Sequence, residues 1–445
     1  MLPEKRHTKT KPSGVEWLGE IPEGWEVIKI KYIAELNPKK SELEHIDREC
    51  SFIPMEKLKL GKVILDETRK IEDVYDGYTY FIDNDLLIAK VTPCFENKNF
   101  AIAENLKNGI GFGSSEIYVL RSNEKSLSKF LFYRLQENKF MDLATYSMSG
   151  AGGLKRIPSD FLSNYKIALP PLLEQTAIAD YLDRKTAHID RLISKQQTLL
   201  DKLAEQRTAL ITAVVTGKMD TNGKQTGSLK NSGVEWLGEI PEGWEVYKIT
   251  HLLNESGSGT TPKKDSEIDY YDGNILWITT SELREKDIWY SKQKISEQAL
   301  EEYSALKIYP INSVVIAMYG ATIGRLGILK KEATFNQACC VFVPSEKLNY
   351  KFLFYWLQYR KPILISLSNG GGQPNLNQDD LRKIKIPLPP LPEQTAIADY
   401  LDRETAKIDR LREKIEQSID KLKEYRSALI TNAVTGKIRT HKEQL

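Results

Sequence analysis

One stretch occurs twice in this chain, and it constrains the fold more than any other feature. The copies begin LPPLLEQTAIADYLDRKTAHIDRL at Leu169 and LPPLPEQTAIADYLDRETAKIDRL at Leu388. Each opens with prolines, which suit the start of a helix but not its interior, and then contains neither Pro nor Gly until Gly217 or Gly436. Each copy is therefore predicted to form one capped helix, about 60 Å long at roughly 1.5 Å per residue.

Apolar residues recur along both helices at coiled-coil spacing. The second copy has a seven-residue repeat, with two further residues on the alternate seam: Leu401, Ile408, Ile415, Leu422 and Leu429, with Leu411 and Tyr425. The first copy keeps most of this pattern: Leu182, Ile189, Leu203 and Leu210, with Leu192 and Leu199. It has Gln196 where the second copy has Ile415.

The differences between the copies indicate how the helices pack. From Glu174 to Leu192 only Lys185 and His188 differ from their counterparts, whereas residues 193–206 have diverged and residues 207–218 match again. In an antiparallel pair about a pseudo-twofold axis the two middles meet, so unlike partners such as Gln196 and Ser418 are allowed there. The matching ends would then face two copies of one outside partner. The alternative is two duplicated helices within a single bundle core.

The whole chain is a tandem repeat with a period of 219 residues. The opening motif SGVEWLGEIPEGWEV, at Ser13–Val27, returns unchanged at Ser232–Val246. Its Trp17, Leu18, Ile21 and Trp25 are predicted to pack the base of each repeat around a Pro-Gly turn, and a binding role for either Trp is the less favoured interpretation. Residues 217–231 are polar, contain Gly and lack periodicity, which is typical of a linker.

Between the opening motif and the long helix, each repeat has a variable region with a mixed α/β pattern. In the first, FIDNDLLIAKV and SSEIYVLRS resemble buried strands, and in the second NILWITTSEL, NSVVIAMYG and ACCVFVPS play similar parts. Both regions then contain a short aromatic helix, KFLFYRLQ or KFLFYWLQ, followed by a Gly-rich loop. The prediction is an α/β (α+β) fold with two similar domains, a pseudo-twofold repeat and two long antiparallel helices.

Composition excludes several classes of protein. With 445 residues, 41% apolar and 28% charged, the chain has the composition of a globular protein of two or three domains. The net charge of +2 is too balanced to indicate nucleic-acid binding, so any such surface requires local segregation of charge. Four cysteines without metal-ligand or disulfide spacing favour a reducing, cytoplasmic location, and no segment predicts a signal peptide or a membrane span.

Motifs for catalysis are absent. The sequence contains no GxxxxGK[ST] phosphate loop, no amino-methyltransferase Asn-Pro-Pro-aromatic motif, no HExxH and no CxxC. The five histidines are scattered, and GIGFG at Gly109–Gly113 precedes a predicted strand, so a plain turn is favoured there over a nucleotide site. We therefore expect no cofactor in this chain.

The variable regions do offer groups suited to DNA. Amide side chains can read adenine, Lys and Arg contact phosphates or guanine, and small hydroxyl residues permit close approach. The candidates in the first region are Lys90, Asn97, Lys98, Asn99, Ser114, Lys155 and Arg156. Those in the second are Thr260, Thr261, Lys263, Lys264, Tyr319, Thr322, Arg325, Asn336, Gln337, Gln373 and Asn375.

Over nearly its whole length the chain resembles the specificity subunit of type I restriction-modification enzymes. The resemblance rests on both WLGEIPEGWEV motifs, the LPPLxEQTAIADYLD helices, KFLFYxLQ, TPCFENKN, GTTPKKD, YGATIGR and FNQA. It implies a non-catalytic subunit whose two target-recognition domains each read half of a bipartite target in double-stranded DNA, with the helices as spacer. The implied partners are two methyltransferase subunits and the restriction (translocase/nuclease) subunits, which would carry S-adenosylmethionine, ATP and Mg²⁺.

The expected domains are a first recognition domain at 14–170, a spacer helix at 171–216, a linker at 217–231, a second recognition domain at 232–389 and a spacer helix at 390–436. Docking of two methyltransferases is expected near Glu174, Gln175, Ile178 and Tyr181 and their repeats Glu393, Gln394, Ile397 and Tyr400. Two other classes compete. A solitary methyltransferase would need a cofactor domain for which the chain has no room, and a duplicated protein-interaction scaffold would show no DNA specificity.

Overall fold

The structure is a computed structural model, which describes residues 9–43, 47–150, 153–264, 269–366 and 375–439. Two compact units make up the chain. Unit 1 consists of the residues up to Gln197 together with those from Glu416 onward, and unit 2 is Thr198–Ile415. The domain limits drawn from the sequence follow the repeat and not these units, and they remain a prediction.

Unit 1 contains two four-stranded sheets. Its elements in chain order are β1 (Thr10–Pro12), β2 (Glu20–Pro22), β3 (Glu26–Lys29), β4 (Ala34–Leu36), β5 (Glu49–Ile53), β6 (Leu58–Lys59), β7 (Lys62–Val63), β8 (Thr68–Lys70), α1 (Ile71–Val74), β9 (Thr79–Ile82), β10 (Leu86–Ala89), β11 (Phe100–Ile102), β12 (Ile110–Gly113), β13 (Ile117–Ser122), α2 (Ser128–Arg134), α3 (Asn138–Ser147), α4 (Ser159–Asn164), β14 (Lys166–Leu169) and the start of α5 (Leu172–Val215). One sheet, of order β11-β10-β13-β4, is antiparallel. The other, of order β8-β5-β12-β9, pairs β5 and β12 in parallel.

Unit 2 repeats this architecture, but its two main sheets have five and three strands instead of four and four. Its elements are the end of α5, then β15 (Leu229–Asn231), β16 (Glu239–Pro241), β17 (Glu245–Lys248), β18 (Leu253–Gly257), β19 (Ile275–Ile278), β20 (Lys286–Ile288), β21 (Gln293–Ile295), α6 (Glu297–Glu302), β22 (Val314–Ala317), β23 (Leu326–Leu329), β24 (Ala333–Phe335), β25 (Cys339–Pro344), α7 (Tyr350–Ser366), α8 (Gln378–Arg382), β26 (Lys385–Leu388) and the start of α9 (Leu391–Val434). The sheets have the orders β18-β25-β22-β23-β20 and β21-β19-β24. The mixed α/β repeat and both long helices are thus as the sequence predicted.

The opening motif packs the base of each unit, as predicted. In unit 1 Leu18, Ile21 and Trp25 are buried, with Trp25 only 1% exposed. Trp17 differs because it is 39% exposed and stacks on Tyr165, with ring centroids 5.9 Å apart. An indole buries a large apolar area, so one Trp of the motif anchors the core while the other covers its rim.

The ends of the long helices close the two cores. In unit 1 the end of α9 contributes Leu429, Ile430, Ala433 and Val434 to the core that also contains Trp25. In unit 2 the end of α5 contributes the matching set, Leu210, Ile211, Val214 and Val215. The sequence comparison assigned residues 207–218 to a partner surface, and the structure corrects this for the four apolar side chains and their repeats. These residues match because each set closes an equivalent core.

Helix segments within each unit run antiparallel. In unit 1 Arg426 Nε donates to Asp190 Oδ1 at 2.9 Å, and Gln196 Nε2 donates to Ser418 Oγ at 2.9 Å. As the residue number rises on α5, it falls on α9. In unit 2 Arg207 Nε lies 3.6 Å from Asp409 Oδ1, the repeat of the Asp190 pair. The predicted antiparallel arrangement and the unlike Gln196–Ser418 pair are both present in these contacts.

Three local predictions need correction. GIGFG is not a plain turn, because β12 runs through it between β5 and β9. Gly111 is required there, since a Cβ would lie 2.1 Å from the Phe81 ring. The segment FIDNDLLIAKV forms two strands, β9 and β10, joined by a turn in which Asn84 has φ +72°. The end of the predicted linker, Leu229–Asn231, is a strand that pairs with Glu239–Pro241.

Candidate nucleic-acid interface

In unit 1 a turn at Ser114, between β12 and β13, places several candidate residues together. The Ser114 amide donates to Ile53 O at 3.0 Å, and Ser114 Oγ accepts the amide of Glu116 at 3.2 Å. The Lys90 amide, just beyond β10, donates to Glu116 O at 3.0 Å. Lys90 and Ser114 therefore lie side by side at the ends of neighbouring strands.

Unit 2 builds the same turn with Asn336. The Asn336 amide donates to Ile278 O at 3.1 Å, and Asn336 Oδ1 accepts the amide of Ala338 at 3.2 Å. The Met318 amide donates to Ala338 O at 2.8 Å. Bond by bond, Asn336 occupies the position of Ser114, and Met318 that of Lys90. The backbone hydrogen bonds are the same in both units, but the side chain that they position is a serine in unit 1 and an asparagine in unit 2.

A third segment completes each arrangement. In unit 1 Arg156 forms a β-bridge with Val91, and the Ile157 amide donates to Lys90 O at 2.9 Å. In unit 2 Asn375 forms the matching bridge with Tyr319, and the Leu376 amide donates to Met318 O at 2.7 Å. We call these groups the first strand-end cluster (Lys90, Thr92, Ser114, Glu116, Lys155 and Arg156) and the second strand-end cluster (Thr260, Thr261, Tyr319, Asn336, Gln337 and Asn375).

The first strand-end cluster carries a surplus of positive charge. Arg156 donates from Nε and Nη2 to both oxygens of Glu116, at 2.9 and 2.8 Å. The Arg156 guanidinium holds the pKa of Glu116 below its usual value, with a smaller contribution from Lys90. Lys155 is exposed. The cluster thus contains three cations and one carboxylate, and that carboxylate holds a guanidinium that stays partly exposed.

The second strand-end cluster is built from neutral polar groups. Thr261 Oγ1 donates to Gln337 Oε1 at 2.6 Å. Two residues earlier in the chain, Gly259 lets the backbone lie against Phe335, because a Cβ there would be 1.7 Å from Phe335 O. The Thr260 carbonyl accepts the indole N–H of Trp277 at 3.0 Å. Amides and hydroxyls in this arrangement can both donate and accept hydrogen bonds, as base-edge recognition requires.

Four more candidates border the second cluster. Lys263 and Lys264 follow Thr261 in the sequence after Pro262. The Lys263 amide donates to Tyr303 Oη at 3.0 Å, and Lys264 Nζ lies 5.4 Å from the Tyr271 ring centroid. Thr322 and Arg325 lie on the turn between β22 and β23, where the Ala317 amide donates to Arg325 O at 2.8 Å. Strand β25 lies on the other side of β22, so one strand separates Arg325 from Asn336.

Lys98 does not belong to a DNA surface, which corrects the prediction. Its Nζ points inward and donates to Gln136 O at 2.9 Å. Burial lowers the pKa of Lys98, and the nearby Arg426 lowers it further. Asn97 and Asn99 lie on the same tight turn, with Asn97 exposed and Asn99 partly buried. Gln373 lies outside the described residues.

The partner-docking prediction also needs correction. Gln175 is fully buried, and its amide accepts from the Leu127 N–H and donates to Lys125 O and Pro170 O. Its repeat Gln394 makes the same three bonds, to Asn349, Lys347 and Pro389. Ile178 and Ile397 are 1% and 3% exposed. These four side chains attach each helix to its own domain and cannot contact a partner.

The remaining residues of that set are partly accessible. Glu174 and Glu393 accept the indole N–H groups of Trp25 and Trp244. Tyr181 and Tyr400 are partly buried, and Lys185 or Arg403 lies over their rings. Docking near these two tyrosines stays a prediction.

Sequence reasoning missed Glu116 and Thr92. Glu116 orients Arg156 from 40 positions away, and Thr92 Oγ1 donates to Gly153 O while accepting the Lys155 amide. The position of Glu116 two residues after Ser114 was available from the sequence, but its pairing with a distant arginine was not. Such contacts depend on strand register.

The described residues contain no group of His, Cys, Asp and Glu side chains that could hold a metal ion. Cys50, Cys339 and Cys340 are buried, and burial raises the pKa of each thiol. No helix in the described part of the chain combines the length and apolar character that crossing a membrane requires.

Comparisons with known proteins agree with this architecture. The family described as type I restriction modification DNA specificity domain matches twice, over residues 22–201 and 241–421. The EcoEI specificity subunit of Escherichia coli is 35% identical over 199 residues, covering 43% of this chain and 33% of that relative. The EcoAI specificity subunit of Escherichia coli is 38% identical over 185 residues, covering 41% and 31%. The chain thus aligns with about a third of the length of these two relatives.

Proteins that align with nearly the whole chain have lower sequence identity to it. The putative MjaX specificity subunit of Methanocaldococcus jannaschii is 27% identical over 439 residues, which is 95% of each chain. A chain from a structural study of complex assembly and conformational transition in a type I R-M system aligns with a TM-score of 0.71 at 18% identity, covering 94% of this chain and 99% of that one. The HsdS subunit of Thermoanaerobacter tengcongensis gives 0.56 at 17% identity, covering 94% and 98%. Both structural likenesses support the fold.

The two family matches cover both variable regions and most of both long helices. Each match contains one of the two strand-end clusters, and together they follow the tandem repeat of the sequence. The chain belongs to the type I restriction-modification DNA specificity family.

Proposed function

We propose that the chain is the non-catalytic specificity subunit of a type I restriction-modification complex and that each domain reads one half of a bipartite double-stranded DNA target. The observation that carries this proposal is the equivalence of Ser114 and Asn336. One position of a duplicated scaffold, fixed by the same backbone hydrogen bonds, presents a hydroxyl in one unit and an amide in the other. Two half-sites of different sequence need different side chains to contact their bases, and this position supplies them.

The chemistry of the two clusters supports different modes of reading. In the first, Arg156 is oriented by Glu116 and flanked by Lys90 and Lys155, which suits guanine edges and phosphates. In the second, Asn336, Gln337 and Thr261 present neutral donors and acceptors, which suits adenine edges. The predicted DNA-contacting residues other than Lys98 are kept in the proposal.

For the protein partners we propose two methyltransferase subunits and the restriction subunits, with S-adenosylmethionine, ATP and Mg²⁺ bound in those chains. An exposed stripe at four-residue spacing is identical in both helices: Thr176, Asp180 and Arg184 on α5, and Thr395, Asp399 and Arg403 on α9. Residues four apart lie on one face of a helix. With Tyr181 and Tyr400, this stripe replaces the buried glutamines and isoleucines as the proposed docking surface.

Selection from a randomised double-stranded DNA library tests the proposal. The full chain, with and without a methyltransferase from the same system, should enrich two short motifs separated by a fixed number of unspecified base pairs. A scaffold without DNA specificity would enrich nothing in either state, and a single continuous motif would rule out two reading domains.

A further inference from the structure

A buried guanidinium in unit 2 has two nitrogens without a hydrogen-bond partner among the described residues. Arg360, on α7, is 5% exposed, and neither its Nε nor its Nη1 meets a partner among the described residues. Its guanidinium lies over the Trp236 ring, 3.6 Å from the centroid. Burial lowers the pKa of Arg360, an effect that the neighbouring Tyr359 only partly offsets. A buried cation of this kind costs stability unless an anion or an acceptor meets it.

Arg360 faces a cavity of about 460 Å³. Apolar side chains line much of it, including Trp236, Leu364 and Ile384. Two further cations, Lys383 and Lys385, and one acid, Asp380, complete the charged part of the lining, and Lys383 Nζ lies 3.9 Å from Asp380. The cavity is therefore apolar with net positive charge, and its volume falls in the range of small-ligand sites.

Unit 1 shows what fills the equivalent place. There Trp17 stacks on Tyr165, and Tyr165 packs against Phe140 and Phe161 at 4.9 and 5.6 Å. Unit 1 also has a buried arginine beneath Tyr165, Arg134. Its Nη1 donates to Glu137 at 2.7 Å, whereas its Nε and Nη2 have no partner among the described residues.

Unit 2 replaces these groups with smaller or charged ones. By the 219-residue repeat, Ile384 stands at the position of Tyr165 and Asp380 at that of Phe161. The helix that breaks before Asn138 in unit 1 continues as α7 in unit 2 and carries Arg360 beneath Trp236. The rings of Tyr165 and Phe161 thus have no counterpart in unit 2, where Trp236 packs against Trp356 at 6.2 Å and over Arg360. No acid replaces Glu137, whose position in the repeated KFLFYxLQ segment is held by Tyr359.

We propose that this cavity is a binding site for a carboxylate carried on a flat apolar body. The carboxylate would pair with the Arg360 guanidinium where it lines the cavity, and the apolar body would pack against Trp236, Leu364 and Ile384. A singly charged carboxylate is favoured over a phosphate dianion, because the apolar walls make desolvation of a second charge costly. The group can come from a free aromatic acid or from an acidic residue next to an aromatic one in a peptide.

Titration calorimetry of the full chain tests the site with 2-naphthoate, its neutral isostere 2-naphthylmethanol and inorganic phosphate. Naphthoate should bind at least tenfold more tightly than the alcohol, and phosphate more weakly than either. The peptides acetyl-Trp-Asp-amide and acetyl-Trp-Asn-amide form the second arm. Preferential binding of naphthoate indicates a free acid, and preferential binding of the Asp peptide indicates a protein segment.

Two variants and a control locate the binding. Arg360→Met should bind naphthoate and the alcohol equally, and it should fold because it removes an unpaired buried charge. Ile384→Tyr, which restores the residue of unit 1 and keeps Arg360, should abolish binding. Arg284→Met, an exposed arginine in the same unit, should bind as the parent does.

Three results would overturn the proposal: no binding of either carboxylate, equal binding of naphthoate and its alcohol by the parent chain, or unchanged binding by Arg360→Met. The library selection for DNA is an independent measurement. Failure of the cavity proposal therefore leaves the proposed DNA function standing, and the reverse also holds.

Discussion

Trp25 donates its indole N–H to Glu174 Oε2 at 3.0 Å across 149 residues of chain. The bond joins the opening motif to the first turn of the long helix that follows the variable region. Trp244 and Glu393 repeat it with the same separation and the same distance. The two domains differ in sequence only between the two residues that this bond joins. The opening motif and the start of the long helix therefore enclose each variable region, and we call these two segments its frame.

Removing this bond should destabilise unit 1. Trp25→Phe keeps an aromatic ring in the core but removes the donor, so the carboxylate of Glu174 loses a charge-assisted hydrogen bond worth about 2 kcal/mol. Chemical denaturation should show this loss. Trp244→Phe is the matched change in unit 2 and should cost a similar amount. A loss below about 0.5 kcal/mol in both variants would show that the bond does not stabilise the frame.

Exchange of residues 28–168 for the matching region of a relative should change one half-site of the DNA motif and leave the other intact. The exchanged segment contains the first strand-end cluster and lies within the frame that Trp25 and Glu174 close. Sequencing of DNA modified by the reconstituted complex measures the motif. A change in both half-sites would contradict independent reading by the two domains.

Asn336, Gln337 and Arg325 should each contribute to reading the second half-site. A bidentate base contact is worth about 1–3 kcal/mol, so replacement with Ala should weaken specific binding roughly tenfold or more. Asn336→Asp is the sharper test, because it keeps the acceptor that holds the Ala338 amide and removes the donor available to a base. The assignment fails if all three Ala variants and Asn336→Asp bind the target as the parent does.

Lys155 and Lys98 should behave differently toward DNA. Lys155 is exposed in the first strand-end cluster, and Lys155→Met should weaken binding to all sequences and reduce the slope of log affinity against log salt by about 1. Lys98 already donates to Gln136 O, so Lys98→Met should leave that slope unchanged. Fluorescence anisotropy over a range of salt concentrations measures both. Equal slopes for the two variants would remove Lys155 from the DNA surface.

The length of the long helices should set the DNA spacer. Insertion of one heptad after Lys195 and another after Lys414 keeps the apolar seam and lengthens each helix by roughly 10 Å at about 1.5 Å per residue. At about 3.4 Å per base pair, the methylated motif should gain about three unspecified base pairs. The pairs Asp190–Arg426 and Arg207–Asp409 lie outside the insertions.

The half-sites themselves should stay unchanged in this variant, although binding should weaken because about three added base pairs rotate one half-site by roughly a third of a turn. The readout is the motif methylated by a variant complex that retains activity. If the methylated motif kept its original spacer and changed its half-sites, the length of the helices would not set the distance between the half-sites.

Sequence alone determined the features that depend on local order. Helix-favouring runs bounded by proline and glycine predicted α5 and α9, and their seven-residue spacing predicted a coiled-coil seam. The divergence of residues 193–206 between the copies predicted the antiparallel arrangement and the Gln196–Ser418 pair. The 219-residue repeat predicted two similar mixed α/β domains, because identical segments in one chain adopt the same structure. The family resemblance rested on the repeated opening motifs and helices together with motifs of the variable regions such as TPCFENKN and YGATIGR.

The tertiary structure decided which side chains are available. Gln175 and Ile178 are identical in both copies, which is expected whether they bind a partner or attach the helix to its own domain. Only the packing shows that they are buried. Lys98 turns inward because the turn at Asn97–Asn99 brings it to Gln136. The equivalence of Ser114 and Asn336 depends on hydrogen bonds to Ile53 and Ile278, about 60 residues earlier in the chain. Local pattern fixes which element forms, whereas strand register and packing between distant segments fix what each side chain can reach.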